Sequence, residues 1–291
     1  MSTKSIKKTD TDILTNQFSS IRSSSWSTTR MATDKIPLFP KAKSMLIHSG
    51  NIINWNRLKR KPNQNSTDEV LECIGNTLGA YLESANKTDL QYVQEIYKVN
   101  TENVQVLDEN ERDDVKITVK VFICSPQPPK VITEVVDKVL NELGTSFVET
   151  LLLSIAPFSE EEEADSSVVT WGFSPCRLSV APPWNHLEVE LDRLRTVKPS
   201  IDQVNLESCC IMPKDLTEYA KSINVQLLTH NDRPVFIPTD KLKETLLSVS
   251  TERDSENWNP EWAARYSGIL KCRGIISMKG YIFHATRNRK H

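Results

Sequence analysis

Glycine is scarce in this chain, with 8 among 291 residues. None of the eight falls in a G-x-G-x-x-G or G-x-x-x-x-G-K-[ST] pattern, so neither common nucleotide-phosphate loop is present. No run of about 18 apolar residues occurs, and nothing in the sequence reads as a bilayer-spanning helix. Neither sign of charge is in excess: 36 Lys and Arg face 38 Asp and Glu, a formal net charge of −2. That balance gives no electrostatic case for nucleic acid or for an anionic membrane surface. The five histidines show neither H-x-x-x-H nor H-E-x-x-H spacing, so no metal site is expected. Six cysteines could form disulfides, but the chain is too long and too rich in core residues for a disulfide scaffold. Reduced thiols and a cytoplasmic location follow as the expectation.

What is present is the composition of an ordinary soluble globular protein, 38% hydrophobic and 25% charged. The length suits one α/β barrel or two smaller domains. Residues 1–43 are rich in Ser, Thr and Lys, with apolar residues scattered and unperiodic, and they read as a disordered tail. A mitochondrial presequence fits them poorly, because Asp10, Asp12 and Asp34 interrupt the basic character. Residues 44–291 read as a single domain in which strand and helix alternate. Thr67, Asp68 and Glu69 cap a helix with Val70, Cys73, Ile74, Leu78 and Tyr81 along one face. A second helix is predicted over residues 89–99. Residues 115–125 form a buried strand. Residues 130–143 form a helix closed by Gly144, and residues 147–155 form the next core strand. The stretch 158–199 breaks the alternation: an acidic run, Glu160–Glu163, precedes Gly172, Pro175, Pro182 and Pro183. Only a candidate strand at 177–181 and a short helix at 187–194 are legible there.

Residues 204–232 make one strand–helix–strand unit. Val204 and Leu206 lead into the adjacent Cys209 and Cys210. Leu216, Tyr219, Ala220 and Ile223 give the helix its apolar face. A strand from Val225 to Leu228 ends in Thr229, His230, Asn231 and Asp232. Units of this kind build parallel sheets, and chemistry gathers where such strands end. This segment resembles the modifier (regulatory) subunits of glutamate–cysteine ligase. Two further blocks carry the likeness: LIHSGNIINWNRL at 46–58 with DEVLECIGNTL at 68–78, and WNPEWAARYSGILKCRGIISMKGYI at 258–282. Together they span residues 44–286. The family is related to aldo-keto reductases, so the resemblance implies a (β/α)8 TIM-type barrel, incomplete around 158–199. It also implies a noncatalytic partner of the catalytic subunit in a heterodimer, raising its affinity for glutamate and relieving feedback inhibition by glutathione.

Aldo-keto reductases use an Asp, Tyr, Lys and His tetrad. The Asp and Tyr normally stand as D-x4-Y, and no Asp here has a Tyr five residues on. The matching Lys position is Pro126 and the matching His position is Ile155. Pro and Ile cannot transfer protons, so the barrel is expected to be dead for reductase chemistry and to need no cofactor. The alternative is an NADP-dependent reductase with a shifted tetrad using Lys130 or His230. An inert scaffold is a third class.

Cys209 and Cys210 are too close-set for the usual metal or redox pair, leaving buried hydrophobes or an exposed thiol. The resemblance favours the thiol, since disulfides between the two ligase subunits are associated with the family. Cys272 lies between Lys271 and Arg273, two cations that favour a thiolate. These three cysteines are the candidate redox or intersubunit positions, and Cys73 and Cys124 read as structural. His230, Asn231 and Asp232 form the candidate polar pocket, with a loop His held by Asp232 as the plain alternative. Trp258, Trp262 and Tyr266 recur every four residues, a predicted helical stripe that ordinarily packs as core against the barrel and, where part of it is exposed, would anchor a partner.

Overall fold

The computed structural model describes residues 36–55, 64–156, 170–173, 200–205, 212 and 214–288. Its nine strands are β1 Ser44–His48, β2 Glu95–Val99, β3 Val115–Ile123, β4 Thr150–Ile155, β5 Thr170–Phe173, β6 Ile201–Asn205, β7 Gln226–His230, β8 Trp258–Leu270 and β9 Ile275–Arg287. The described helices are α1 Ser66–Ser84, α2 Lys87–Leu90, α3 Glu109–Arg112, α4 Lys130–Leu143, α5 Lys214–Ser222, α6 Thr239–Val249 and α7 Glu252–Ser255. All nine described strands join one mixed sheet in the order β2-β1-β9-β8-β3-β4-β5-β6-β7.

The α/β class therefore holds, but the described strands do not form the expected all-parallel eight-stranded barrel. Three parallel pairs are present, β1 with β2, β3 with β4, and β6 with β7. Between the first two pairs lies the long antiparallel β8–β9 hairpin, which pairs antiparallel with β1 on one side and β3 on the other. With three antiparallel ladders in succession, β1 and β3 run in opposite directions, which an all-parallel barrel does not allow. β5 is antiparallel to both β4 and β6, where the barrel would place a crossover helix. The candidate strand at 177–181 and helix at 187–194 lie outside the described residues.

Helices cover both faces of the sheet. Alternation in β3 sends Ile117, Val119, Val121 and Ile123 against Val131, Val135, Val139 and Leu143 of α4. Lys120 and Phe122 face the other way, and Phe122 joins Val70, Ile74 and Leu78 of α1 and Leu242 and Leu246 of α6. Val135 and Val139 are completely buried, each contributing about 1.5–3 kcal/mol of apolar transfer. α4 stops at Gly144, which adopts the left-handed conformation at φ 65° that glycine accommodates at helix ends.

Several local expectations change. Asn65, not Thr67, caps α1, accepting from the Asp68 amide, while Thr67 is buried with its hydroxyl on the Phe236 carbonyl. The helix predicted over 89–99 is one short turn, α2, followed by β2, because Ile96 and its neighbours gain a parallel ladder with β1. Residues 258–270 are a strand, not a helix. A spacing of four is even, so it repeats one face of a strand as well as one face of a helix. The register shift between Pro260 and Trp262 then reverses the parity. Trp258 consequently packs with the α1 side and Trp262 and Tyr266 with the α4 side. The packed chain also reaches back into the segment predicted as a tail. Phe39 and Ala42 are fully buried, and Asp254 accepts from the amides of Leu38 and Phe39.

Candidate functional site

Lys120 sits in the middle of β3 on the α1-facing side, where an unpaired charge would be costly. It is 1% exposed. Its ammonium donates to Asp232 Oδ2 at 2.7 Å and to Gln203 Oε1 at 2.9 Å. Arg265 of β8 reaches the same carboxylate, Nη1 to Oδ1 at 3.0 Å, and also donates to the hydroxyl of Ser66 on α1. Both cations lie over the Phe122 ring, Lys120 at 5.2 Å and Arg265 at 5.5 Å from its centroid. Phe122 is itself stacked on Phe236. The buried carboxylate and its two cations thus tie β3, β6, β8, the segment after β7 and α1 together.

Burial alone would raise the Asp232 carboxyl, yet Arg265 and Lys120 hold it well below the usual carboxylate range. Burial lowers the Lys120 ammonium to about 8, against the pull of Asp232. Burial, aided by the Lys120 charge, brings His230 down to about 4, so its ring is neutral near pH 7. The His230 Nδ1 accepts from the Asp232 amide at 3.2 Å, which leaves the ring proton on Nε2. Asp232 is 3% exposed, and both oxygens of its carboxylate are engaged by cations. A general acid or base must reach a substrate proton, and Lys120 and Asp232 offer no surface for one. The geometry makes an electrostatic clamp.

Of the residues singled out in the sequence, the structure brings His230 and Asp232 together and leaves Asn231 exposed. Trp258 and Trp262 are buried, which removes them as exposed anchors. Trp258 donates its indole N–H to the Asp254 carbonyl at 2.7 Å, and Trp262 stacks on His284. Cys272 is exposed at the turn of the β8–β9 hairpin, beside the exposed Ile275 and Ile276. Lys271 is turned onto the Asp113 carbonyl at 2.6 Å. The strand directions put this turn at the opposite end of the sheet from Asp232. Burial pushes the Cys73 thiol well up and the Cys124 thiol to about 12, so neither has thiolate character. Cys176, Cys209 and Cys210 lie outside the described residues. Lys130 is a surface residue whose ammonium stands 3.7 Å from Glu134.

Sequence reasoning missed Lys120 and Arg265. The available signal was a lysine inside the apolar run VKITVKVFI, which demands a buried counter-ion. It also missed a second buried group: Glu142 of α4 accepts from the Tyr266 hydroxyl at 2.8 Å and meets His48 Nδ1 at 2.5 Å. Burial, together with the Glu142 charge, pushes the Tyr266 phenol far up, which keeps it a donor. Among the described residues no group of three or more His, Cys, Asp or Glu is arranged to hold a metal ion. No described helix is long and apolar enough to cross a membrane.

Comparison with known proteins supplies what the clamp does not. The human glutamate–cysteine ligase regulatory subunit is 29% identical over 272 residues, covering 86% of this chain and 95% of that protein. The chain is similar to ligase regulatory subunits. The mouse regulatory subunit is 28% identical over the same length and coverage. A putative regulatory subunit from Schizosaccharomyces pombe is 32% identical over 104 residues, about a third of each chain. No family model matches the chain, and no solved structure matches it.

Proposed function

We propose that this chain is a noncatalytic regulatory subunit of glutamate–cysteine ligase, acting in glutathione biosynthesis by binding the catalytic subunit. The observation that carries the reading is similarity running nearly end to end along proteins named as regulatory subunits. The buried clamp agrees with it, because its charged groups are spent on holding strands together. The chain raises the catalytic subunit's affinity for glutamate and weakens feedback inhibition by glutathione. Physically, it binds one conformation of its partner more tightly than another. A tenfold change in glutamate affinity needs only about 1.4 kcal/mol of such coupling, within reach of a few interface side chains. The relation to aldo-keto reductases stays part of this proposal, with the tetrad positions vacant and no cofactor required. The reductase alternative gains no support from Lys130, which pairs with Glu134 on the surface, or from His230, whose side chain is neutral and buried.

The β8–β9 turn is the surface this proposal assigns to the partner, since Cys272, Ile275 and Ile276 are exposed together there. Cys272, like Cys209 and Cys210, is a candidate for a disulfide to the catalytic subunit. Two thiols would lose two electrons and two protons to glutathione disulfide, which leaves as two molecules of glutathione. Gel filtration of the mixed subunits tests the core of the reading. A co-eluting one-to-one complex is the expected result, and separate elution at micromolar concentrations overturns it.

A further inference from the structure

A cavity of about 330 Å³ opens between the C-terminal half of α1 and the chain that follows β1 and β2. Trp55 forms one wall, and Lys98, Glu83 and Glu102 bring charges of both signs to its lining. None of these three charged groups makes an ion pair or hydrogen bond among the described residues. The Lys98 ammonium lies over the Tyr81 ring, 5.6 Å from its centroid. Thr77, also on the lining, is 2% exposed, and its hydroxyl has no hydrogen-bond partner among the described residues. Buried hydroxyls almost always find a partner, so an unmatched one beside a cavity marks a place where a polar group is missing.

The charge arrangement narrows the class of ligand. A simple anion attracted by Lys98 would meet Glu83 and Glu102, and a simple cation would meet Lys98. A molecule carrying a carboxylate and an ammonium can satisfy both signs at once, with its body against the Trp55 indole. The volume lies at the low end for small-molecule sites and suits something the size of an amino acid or dipeptide. We propose that this cavity is a binding site for a small zwitterion of that class. Lys98 takes the carboxylate, Glu83 or Glu102 takes the ammonium, and Thr77 lies beneath the bound polar atoms. The site is remote from the clamp, and its existence does not depend on the ligase reading.

Calorimetric titration of the isolated full chain with glycylglycine, N-acetylglycylglycine and glycylglycine amide tests this. Saturable binding of glycylglycine is expected, falling at least about tenfold when either charge is blocked. Lys98→Met and Glu102→Gln/Glu83→Gln should each weaken glycylglycine binding by a similar factor, with circular dichroism confirming that both variants fold. Absence of saturable binding at millimolar glycylglycine would overturn the proposal. So would binding that survives N-acetylation, amidation or the Lys98→Met change undiminished. Because the catalytic subunit is absent from this experiment, its failure leaves the regulatory reading standing.

Discussion

Asp232 is the counter-ion on which two buried cations depend, and single substitutions there should be read against both. Asp232→Asn leaves Lys120 and Arg265 facing each other without a carboxylate, which should cost about 3–5 kcal/mol in urea denaturation. Adding Lys120→Met should recover part of that loss, because one of the orphaned charges leaves with the carboxylate. A single variant within about 0.5 kcal/mol of the parent would contradict the clamp. The pH dependence follows from His230. Its proton affinity is lowered in the folded state to about 4, so its contribution is full above the unfolded value of about 6.5. That contribution is lost as the pH falls toward 4. His284, also lowered by burial, adds to the same loss. Urea midpoints should therefore drop between pH 7 and pH 4.5, and His230→Asn should flatten part of the slope. Lys120 acts at the other end of the scale: its lowered value makes stability rise between about 8 and 10.4.

The β8–β9 hairpin is the element on which the two faces of the sheet agree. A Cβ on Gly280 would stand 2.2 Å from the Tyr266 hydroxyl and 2.4 Å from the Gly50 carbonyl oxygen. The carbonyl is backbone and cannot rotate away, so Gly280→Ala should destabilise by about 3 kcal/mol or more and lower the melting temperature by several degrees. An unchanged melting curve would show that the strands do not approach this closely. Little of this hairpin was legible in the sequence. Trp258, Trp262 and Tyr266 lie at a spacing common to helix and strand, and only pairing with β9 and β3 decides between them. The bulge that separates Trp258 from Trp262 has one local sign, Pro260, whose missing N–H suits an irregularity inside a central strand. By contrast, β3 and α4 were readable, because period-two alternation and a left-handed Gly144 are local signals. β2 was missed, since Glu95–Val99 carries two charged residues and gains its structure from β1 alone.

For the whole molecule, the strand–helix–strand unit at 201–230 was legible with its parallel pairing, while in place of the expected all-parallel barrel the described strands form a mixed sheet. Strand order depends on long-range ladders that no local pattern encodes, and the reversal between β1 and β3 follows from where the hairpin inserts. The clamp was half legible: His230 and Asp232 stood out as a polar cluster, but their partners come from strands roughly 30 and 110 residues away. The docking assignment makes its own prediction. Cys272→Ser should lower the yield of disulfide-linked species on non-reducing gels after treatment with glutathione disulfide and catalytic subunit. An unchanged linked band in Cys272→Ser would remove the hairpin turn from that role. The proposed regulation is tested by the glutamate dependence of γ-glutamylcysteine formation by purified catalytic subunit, with and without this chain. A lower apparent KM for glutamate and weaker inhibition by glutathione are expected when the chain is added. An unaltered glutamate curve at saturating chain would contradict it.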